Sequence, residues 1–159
     1  MLEIDGLTKR FGRHLALDAV SFQAQPGEVT AVVGPNGAGK TTLLSILVGV
    51  MKASAGRCEF RGMPQSEWSP ARVGYLATDP FYYDKLTGIQ MVSFERAMRR
   101  VDVSDRAVWE LLEEFGATSF ARRPMAELSQ GMAKRIMLTC ALMGEPRLVV
   151  LDEPLNALD

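Results

Sequence analysis

The feature that most constrains this chain is a glycine-rich segment, Gly34 to Thr41, between an apolar run and an apolar-faced helical pattern. The segment reads Gly-Pro-Asn-Gly-Ala-Gly-Lys-Thr and matches the phosphate-loop pattern G-x-x-x-x-G-K-[ST] in full. Glycines let successive backbone N–H groups curl around a phosphate, and a helix start adds positive partial charge. The pattern predicts a nucleotide-phosphate site at a strand-to-helix junction; the alternative is a glycine-rich turn that binds nothing.

The side chains of the loop suggest separate roles. Lys40 carries a point charge for the β- and γ-phosphates, the Thr41 hydroxyl is a ligand for Mg²⁺, and Thr42 is placed to donate to the α-phosphate. The predicted nucleotide-binding residues of this segment are Gly34, Pro35, Asn36, Gly37, Ala38, Gly39, Lys40, Thr41 and Thr42.

Composition predicts a single globular domain and excludes several classes of function. The 159 residues carry 18 Lys+Arg against 19 Asp+Glu, a net charge of -1. Because a near-neutral chain has no bulk attraction to polyanions, we expect no nucleic-acid partner. The apolar stretches are far shorter than the roughly 18 residues of a membrane span. The two cysteines, Cys58 and Cys140, form neither a disulfide framework nor a metal motif, so both are expected in the core.

The first part of the chain has strand patterns. Apolar and polar residues mostly alternate over residues 15–22, with a slip near Ala19 that suggests a bulge. Pro26 and Gly27 suit the central positions of a type II turn. The run from Val29 to Val33 is apolar on both faces, which predicts a strand covered by helices in a parallel sheet.

Helical patterns dominate the middle of the chain. One helix is predicted from Thr41 to Met51, one from about Ile89, one from a Ser104 N-cap to Gly116, and one from Ser129 to Gly144. Short strands are predicted at residues 58–60, 73–76 and 148–151. The pattern indicates an α/β core, residues 1–78 and 145–159, interrupted by a helical subdomain at residues 79–144.

Two carboxylates follow the last predicted strand. In open α/β sheets ligands bind beyond the carboxyl ends of the strands, so Asp152 and Glu153 are expected to face the nucleotide. Asp152 suits a Mg²⁺ contact, and Glu153 suits the polarisation of a catalytic water. The alternative is that both are merely solvated at a strand end.

With these motifs in place, the segment Leu128-Ser129-Gln130-Gly131-Met132 resembles the LSGGQ signature of the nucleotide-binding domain of ATP-binding cassette (ABC) proteins. The resemblance runs along the whole chain and implies a P-loop NTPase fold: a RecA-like core with an N-terminal antiparallel β subdomain and an inserted helical subdomain. It also implies that Ser129, Gln130 and Gly131 grip the γ-phosphate of ATP bound to a second subunit in a head-to-tail dimer. The alternative for Ser129 is an ordinary N-cap.

Further positions carry over by resemblance. Phe11 resembles the aromatic residue that stacks on adenine, although a plain core phenylalanine is the alternative. Asp159 ends a segment that resembles the loop contacting the partner subunit. Thr78 stands where the family usually has a Gln that contacts Mg²⁺ and water, with Asp79 beside it. Gln130 and Met132 also depart from the signature.

The resemblance also sets an expectation for the end of the chain. Beyond the position of Asp159 the family has a further central strand and a His that contacts the γ-phosphate; the sole histidine, His14, is expected at a surface or turn. A domain incomplete at the C-terminus is therefore expected to be marginally stable and to hydrolyse ATP poorly.

The function implied by the resemblance is hydrolysis of ATP, with Mg²⁺ as cofactor and Glu153 as catalytic residue, to power an ABC transporter. Its partners would be a transmembrane permease subunit and a second nucleotide-binding subunit, on the cytoplasmic face of the membrane. The alternatives are a soluble ABC-type ATPase of translation or DNA repair, a small-molecule kinase, and a truncated nucleotide-binding fragment without turnover.

Overall fold

The computed structural model describes residues 1–154, and the chain divides into two compact units, Met1–Trp68 and Ser69 onward. The sequence instead predicts a core of residues 1–78 and 145–159 around a helical subdomain at 79–144, and that division stays a prediction. The structure combines α and β elements with an antiparallel β portion at the N-terminus, as expected for the fold class.

The first unit is built on an antiparallel sheet of four strands in the order β2-β1-β3-β4. The strands are β1 (Leu2–Phe11), β2 (His14–Ala24), β3 (Ala55–Phe60) and β4 (Met63–Pro64). Between the pairs Leu7–Val20 and Lys9–Leu17, β2 holds one residue more than β1, and Ala19 has a left-handed φ of 45°. The predicted bulge near Ala19 is thus confirmed.

The segment after β2 confirms one expectation and overturns another. Gly27 has φ 82°, and the Glu28 N–H donates to the Gln25 carbonyl at 3.2 Å, so the turn at Pro26-Gly27 forms. The expected strand over residues 29–33 is wrong: this run forms no strand, and Val29 and Val33 are 99% and 90% exposed. Apolar residues alone do not make a strand, because a strand needs a neighbour for its backbone hydrogen bonds, and no strand within residues 1–154 pairs with this run.

Helix α1 (Lys40–Leu47) follows the glycine-rich segment. It begins one residue before the expected helix and ends well before Met51, because Gly49 takes a left-handed φ of 80° and turns the chain. Its buried face packs into the core of this unit, which contains Leu2, Ile4, Leu7, Leu17, Leu43, Ile46, Leu47 and Cys58.

The second unit combines a parallel strand pair with three helices. The elements are β5 (Val73–Leu76), α2 (Gly88–Arg99), α3 (Asp105–Glu114), α4 (Gln130–Leu142) and β6 (Leu148–Leu151). The two strands occupy the predicted ranges, and they pair from Val73–Leu148 to Leu76–Leu151.

Capping side chains determine where the helices of the second unit begin. The Ser104 hydroxyl accepts a hydrogen bond from the Ala107 N–H at 3.2 Å at the start of α3, and Gly116 with φ 61° follows its end, as predicted. Thr87 and Gln90 form a reciprocal capping box at the start of α2. Local sequence signals therefore account for these helix boundaries.

The core of the second unit lies around α4, which packs against α2, α3 and β5. Its fully or nearly fully buried side chains include Leu76, Met91, Val92, Val108, Leu112, Ala121, Met125, Ile136, Cys140 and Met143. Both cysteines are buried as expected: burial, with Glu59 nearby, raises the pKa of Cys58 to about 11, and burial raises the pKa of Cys140 as well. Within residues 1–154, no helix is long and apolar enough to cross a membrane.

Replacing Leu112 tests this core. Because Leu112 is 0% exposed, Leu112→Ala should lower the free energy of unfolding by about 2–5 kcal/mol, the usual cost of a buried leucine truncation. The matched change Leu111→Ala, at the partly buried neighbour, should cost clearly less. Urea unfolding midpoints measure both; equal losses would show that Leu112 does not occupy the centre of this core.

Candidate nucleotide-binding site

The glycine-rich loop of the first unit leads directly into α1. Gly39 precedes the helix with φ 88°, and a Cβ at this position would lie 2.5 Å from the Ala16 carbonyl oxygen and 2.9 Å from Leu17 Cδ2. Both the backbone conformation and the close approach of β2 therefore require glycine. Gly37 also has a positive φ, 83°, so the loop curls as a phosphate loop does.

The start of α1 has the electrostatic character of an anion site. Its first turn holds no acidic residue and its N-cap makes no side-chain hydrogen bond, so the positive end of the helix is not neutralised locally. The Lys40 ammonium donates to the Gly34 and Pro35 carbonyls, each at 2.9 Å, which directs it over the loop. Thr41 is exposed and Thr42 is partly buried on the same turn.

The second unit contributes a buried carboxylate. Asp152 directly follows β6, is 2% exposed, and its backbone N–H donates to the Leu76 carbonyl of β5 at 2.9 Å. Its Oδ2 atom makes no hydrogen bond within residues 1–154. Since buried polar atoms are nearly always paired, this oxygen suits a cation or a donor supplied from beyond the described residues.

Glu153 differs from its neighbour in exposure and backbone shape. It is exposed and has a left-handed φ of 49°, which is unusual for a residue with a Cβ. Its carbonyl accepts a hydrogen bond from Lys134 Nζ at 2.5 Å. The sequence reasoning overlooked Lys134, because it described α4 by its apolar stripe, and no periodicity signal indicated that a lysine on this helix is 5% exposed.

The signature-like segment forms the start of α4. The Ser129 hydroxyl accepts a hydrogen bond from the Met132 N–H at 3.2 Å, so Ser129 is the N-cap of this helix. Ser129 and Gln130 are exposed, Gly131 is partly buried, and the first turn carries no acidic side chain. The positive end of α4 is therefore open at the surface of the second unit.

The remaining candidate residues have different surroundings. Thr78 is partly buried and lies just beyond β5, at the same end of the strand pair as Asp152. Phe11 is 47% exposed at the end of β1, with Lys9 Nζ 5.1 Å from the centre of its ring, so it is not a core residue. His14 is exposed at the start of β2, as expected. Asp159, the predicted dimer-loop residue, lies outside the described residues.

The residues present fit Mg²⁺ if a nucleotide supplies part of its coordination. Asp152 Oδ2 in the second unit and the Thr41 hydroxyl in the first unit are each a hard oxygen donor of the kind that this ion prefers, and Mg²⁺ is typically held by one or two carboxylates together with phosphates. Residues 1–154 contain no cluster of three His, Cys, Asp or Glu side chains that could hold a metal without such help.

Comparison with known proteins relates this geometry to a family. A family model described as ABC transporter matches residues 17–156. The lantibiotic transport ATP-binding protein SrtF of Streptococcus pyogenes is 33% identical over 159 residues, all of this chain and 69% of that protein. The Fe(3+) ions import ATP-binding protein FbpC 2 of Rhodococcus jostii is 40% identical over 164 residues, 99% of this chain and 47% of that protein. The chain thus spans about two thirds of the first relative and about half of the second.

Solved structures agree in fold. An ABC transporter ATP-binding protein from Pyrococcus furiosus superposes with a TM-score of 0.87 at 26% identity, covering 99% of this chain and 78% of that chain. The dimeric ABC transporter cassette MJ0796 has a TM-score of 0.88 at 23% identity, covering 100% of this chain and 76% of that chain, a likeness of fold alone. Together with the match over residues 17–156, these findings show that the chain belongs to the ATP-binding subunits of ABC transporters, the ATPases that power transport.

Proposed function

We propose that residues 34–42 hold the phosphates of ATP, that Asp152 is a ligand of its Mg²⁺ and that Glu153 acts in hydrolysis of the terminal phosphate. The observation that carries this proposal is the convergence of the Lys40 ammonium and the start of α1, which lacks a side-chain cap, on the glycine-rich loop. Such a site provides positive charge and backbone N–H donors for phosphate oxygens, whereas an ordinary turn needs neither.

When phosphate binds, the Lys40 ammonium exchanges its hydrogen bonds to the Gly34 and Pro35 carbonyls for bonds to phosphate oxygens. Its two hydrogen bonds go to neutral carbonyls, whereas phosphate oxygens carry negative charge and attract the ammonium more strongly. The ammonium is already directed over the loop, so little side-chain freedom is lost when phosphate binds. Thr42, in the first turn of α1, donates to the α-phosphate.

Asp152 and Thr41 would each be a ligand of the Mg²⁺ that accompanies ATP, as the family resemblance implies. The ion supplies neutralisation of the charge that develops on the phosphoryl oxygens. Asp152 suits this position because its Oδ2 atom is buried and lacks a hydrogen-bond partner in the described residues, while its backbone is fixed by β5. Thr78, beyond the end of β5, would be a second contact to Mg²⁺, with a shorter side chain than the glutamine that the family usually has at this position.

Glu153 orients the attacking water and accepts its proton. Its side chain is exposed, so water reaches it, and it follows Asp152 directly, which ties it to the metal-binding carboxylate. Catalysis of phosphoryl transfer consists chiefly of positioning the nucleophile and stabilising charge. A carboxylate that orients the attacking water toward the γ-phosphate supplies the first of these. Phe11, exposed at the end of β1, provides a face for the adenine ring.

The open end of α4 supports a second role, across a dimer interface. Ser129, Gln130 and Gly131 would contact the γ-phosphate bound to a second copy in a head-to-tail dimer, with Asp159 near the same interface. The exposed N-terminus and the absence of acidic residues in its first turn suit an anion brought by another subunit.

The partner in transport is a transmembrane permease subunit, which places this subunit on the cytoplasmic face of the membrane. The relatives' names differ in cargo: one is a lantibiotic transport protein, one an Fe(3+) ions importer and one a sulfate/thiosulfate importer. All three names describe ATP-binding proteins of transport systems, so we infer that the permease subunit, not this subunit, selects the cargo.

Lys40→Ala should weaken ATP binding by about 100-fold, on the order of 3 kcal/mol, because it removes a charge-assisted contact to the phosphates. Calorimetric titration with MgATP measures the change. Lys52→Ala, which removes another exposed lysine of the same unit, is the matched control and should leave the affinity unchanged. Unchanged affinity in Lys40→Ala would refute the phosphate assignment.

Measured in the full-length subunit, Glu153→Gln should retain ATP binding but lower kcat by roughly 10²–10⁴-fold, because the amide keeps the size of the side chain and removes its capacity to accept a proton. It should also accumulate a dimer that holds two nucleotides, detectable by size-exclusion chromatography with MgATP. Glu145→Gln, at an exposed glutamate in the loop before β6, is the control. Wild-type turnover in Glu153→Gln would move the catalytic role to another carboxylate, first Asp152 or Asp79.

A further inference from the structure

A buried lysine contacts the backbone of the candidate catalytic residue. Lys134 lies on the second turn of α4, is 5% exposed, and its Nζ donates to the Glu153 carbonyl at 2.5 Å. Lysine is almost never buried to this extent unless its ammonium is paired. The surroundings are apolar, since Ala133, Ile136 and Met137 on the same helix belong to the core of the unit.

The carbonyl that Lys134 contacts belongs to a residue with an unusual backbone. Glu153 has a φ of 49°, a conformation that side-chain-bearing residues adopt rarely and that persists only when surrounding contacts hold it. A short hydrogen bond from an ammonium is stronger than one between neutral groups. It therefore restrains the orientation of the peptide group that follows the Glu153 Cα.

A second restraint holds the other side of Glu153. The Asp152 N–H donates to the Leu76 carbonyl at 2.9 Å and so continues the parallel pairing one residue beyond β6. Glu153 is thus fixed from β5 through Asp152 and from α4 through its own carbonyl. These two restraints come from different elements and act on both sides of the Glu153 Cα.

We propose that Lys134 is a positioning residue for catalysis: by holding the Glu153 carbonyl, it sets the direction in which the Glu153 carboxylate leaves the backbone. The inference rests on the proposed role of Glu153 in orienting water. Ser129 is the N-cap of α4. One helix would therefore contact the phosphate bound to a second copy at its start and hold the Glu153 peptide group through Lys134. Binding at the dimer interface and catalytic geometry would then be linked through one rigid element.

The test compares Lys134→Met, which keeps the length and apolar stem but removes the donor, with Thr139→Val. Thr139 is 0% exposed on the same helix, and its hydroxyl donates to the Arg135 carbonyl at 3.1 Å without touching Glu153, so its replacement controls for general loss of stability. Two readouts are measured: hydrogen exchange of the amides of residues 151–153, and the steady-state kcat and KM for ATP.

Lys134→Met should speed exchange at residues 151–153 about 10-fold or more and lower kcat about 10–100-fold, with KM within about twofold of wild type. Thr139→Val should leave both the exchange of this segment and kcat near wild type. Any other combination overturns the inference, including faster exchange with normal kcat or equal losses in the control. If Lys134→Met fails to fold, Lys134→Gln, whose amide ends one atom short of the lysine nitrogen, is held to the same criteria.

The Glu153→Gln variant separates this inference from the proposed function. If Glu153→Gln abolishes turnover while Lys134→Met changes neither readout, only the positioning inference fails. If Glu153→Gln keeps wild-type turnover, the proposed catalytic role fails, and faster exchange in Lys134→Met then reports only a structural bond.

Discussion

The chemistry of the second unit depends on the parallel pairing of β5 with β6, which runs from Val73–Leu148 to Leu76–Leu151. The pairing continues for one hydrogen bond beyond the strands, from the Asp152 N–H to the Leu76 carbonyl. In a parallel pair both chains leave at the same end, so the carboxylates after β6 and Thr78 after β5 meet at one edge. A shift of one residue in this register would exchange the buried and exposed sides and turn Asp152 away from its present position.

In the first unit a steric constraint has the comparable role. The backbone of β2 at Ala16 comes so close to Gly39 that no side chain fits there, and the chain must take a left-handed turn before α1 starts. The same turn brings the start of the helix and Lys40 together over the loop. The glycine therefore determines both where the helix begins and which direction its positive end faces.

Local signals explain what the sequence could predict. The serine caps at Ser104 and Ser129 and the glycine after α3 act through neighbours in the chain, and the structure confirms the helix ends that they predict. The short apolar runs of β5 and β6 also form strands as predicted, although their pairing depends on the fold. The run over residues 29–33 was mispredicted because its apolar pattern describes a strand with partners, and pairing is a property of the fold rather than of the segment. The end of α1 was misplaced because Leu47 and Val48 continue the apolar pattern past the point where Gly49 turns the chain.

The sequence does not indicate which charged side chains are buried, because burial, like strand pairing, is a property of the fold rather than of a local segment. Lys134 and Asp152 are the charged side chains that are buried within residues 1–154. Lys134 lies on α4 and donates to the carbonyl of Glu153, the residue after Asp152. Burial of either charge opposes folding unless a partner compensates it. One carboxylate oxygen of Asp152 has no hydrogen-bond partner in the described residues, whereas Lys134 donates a hydrogen bond to the Glu153 carbonyl. The hydrogen bond to Glu153 compensates the burial of the Lys134 charge, and the proposed Mg²⁺ would compensate the burial of the Asp152 charge.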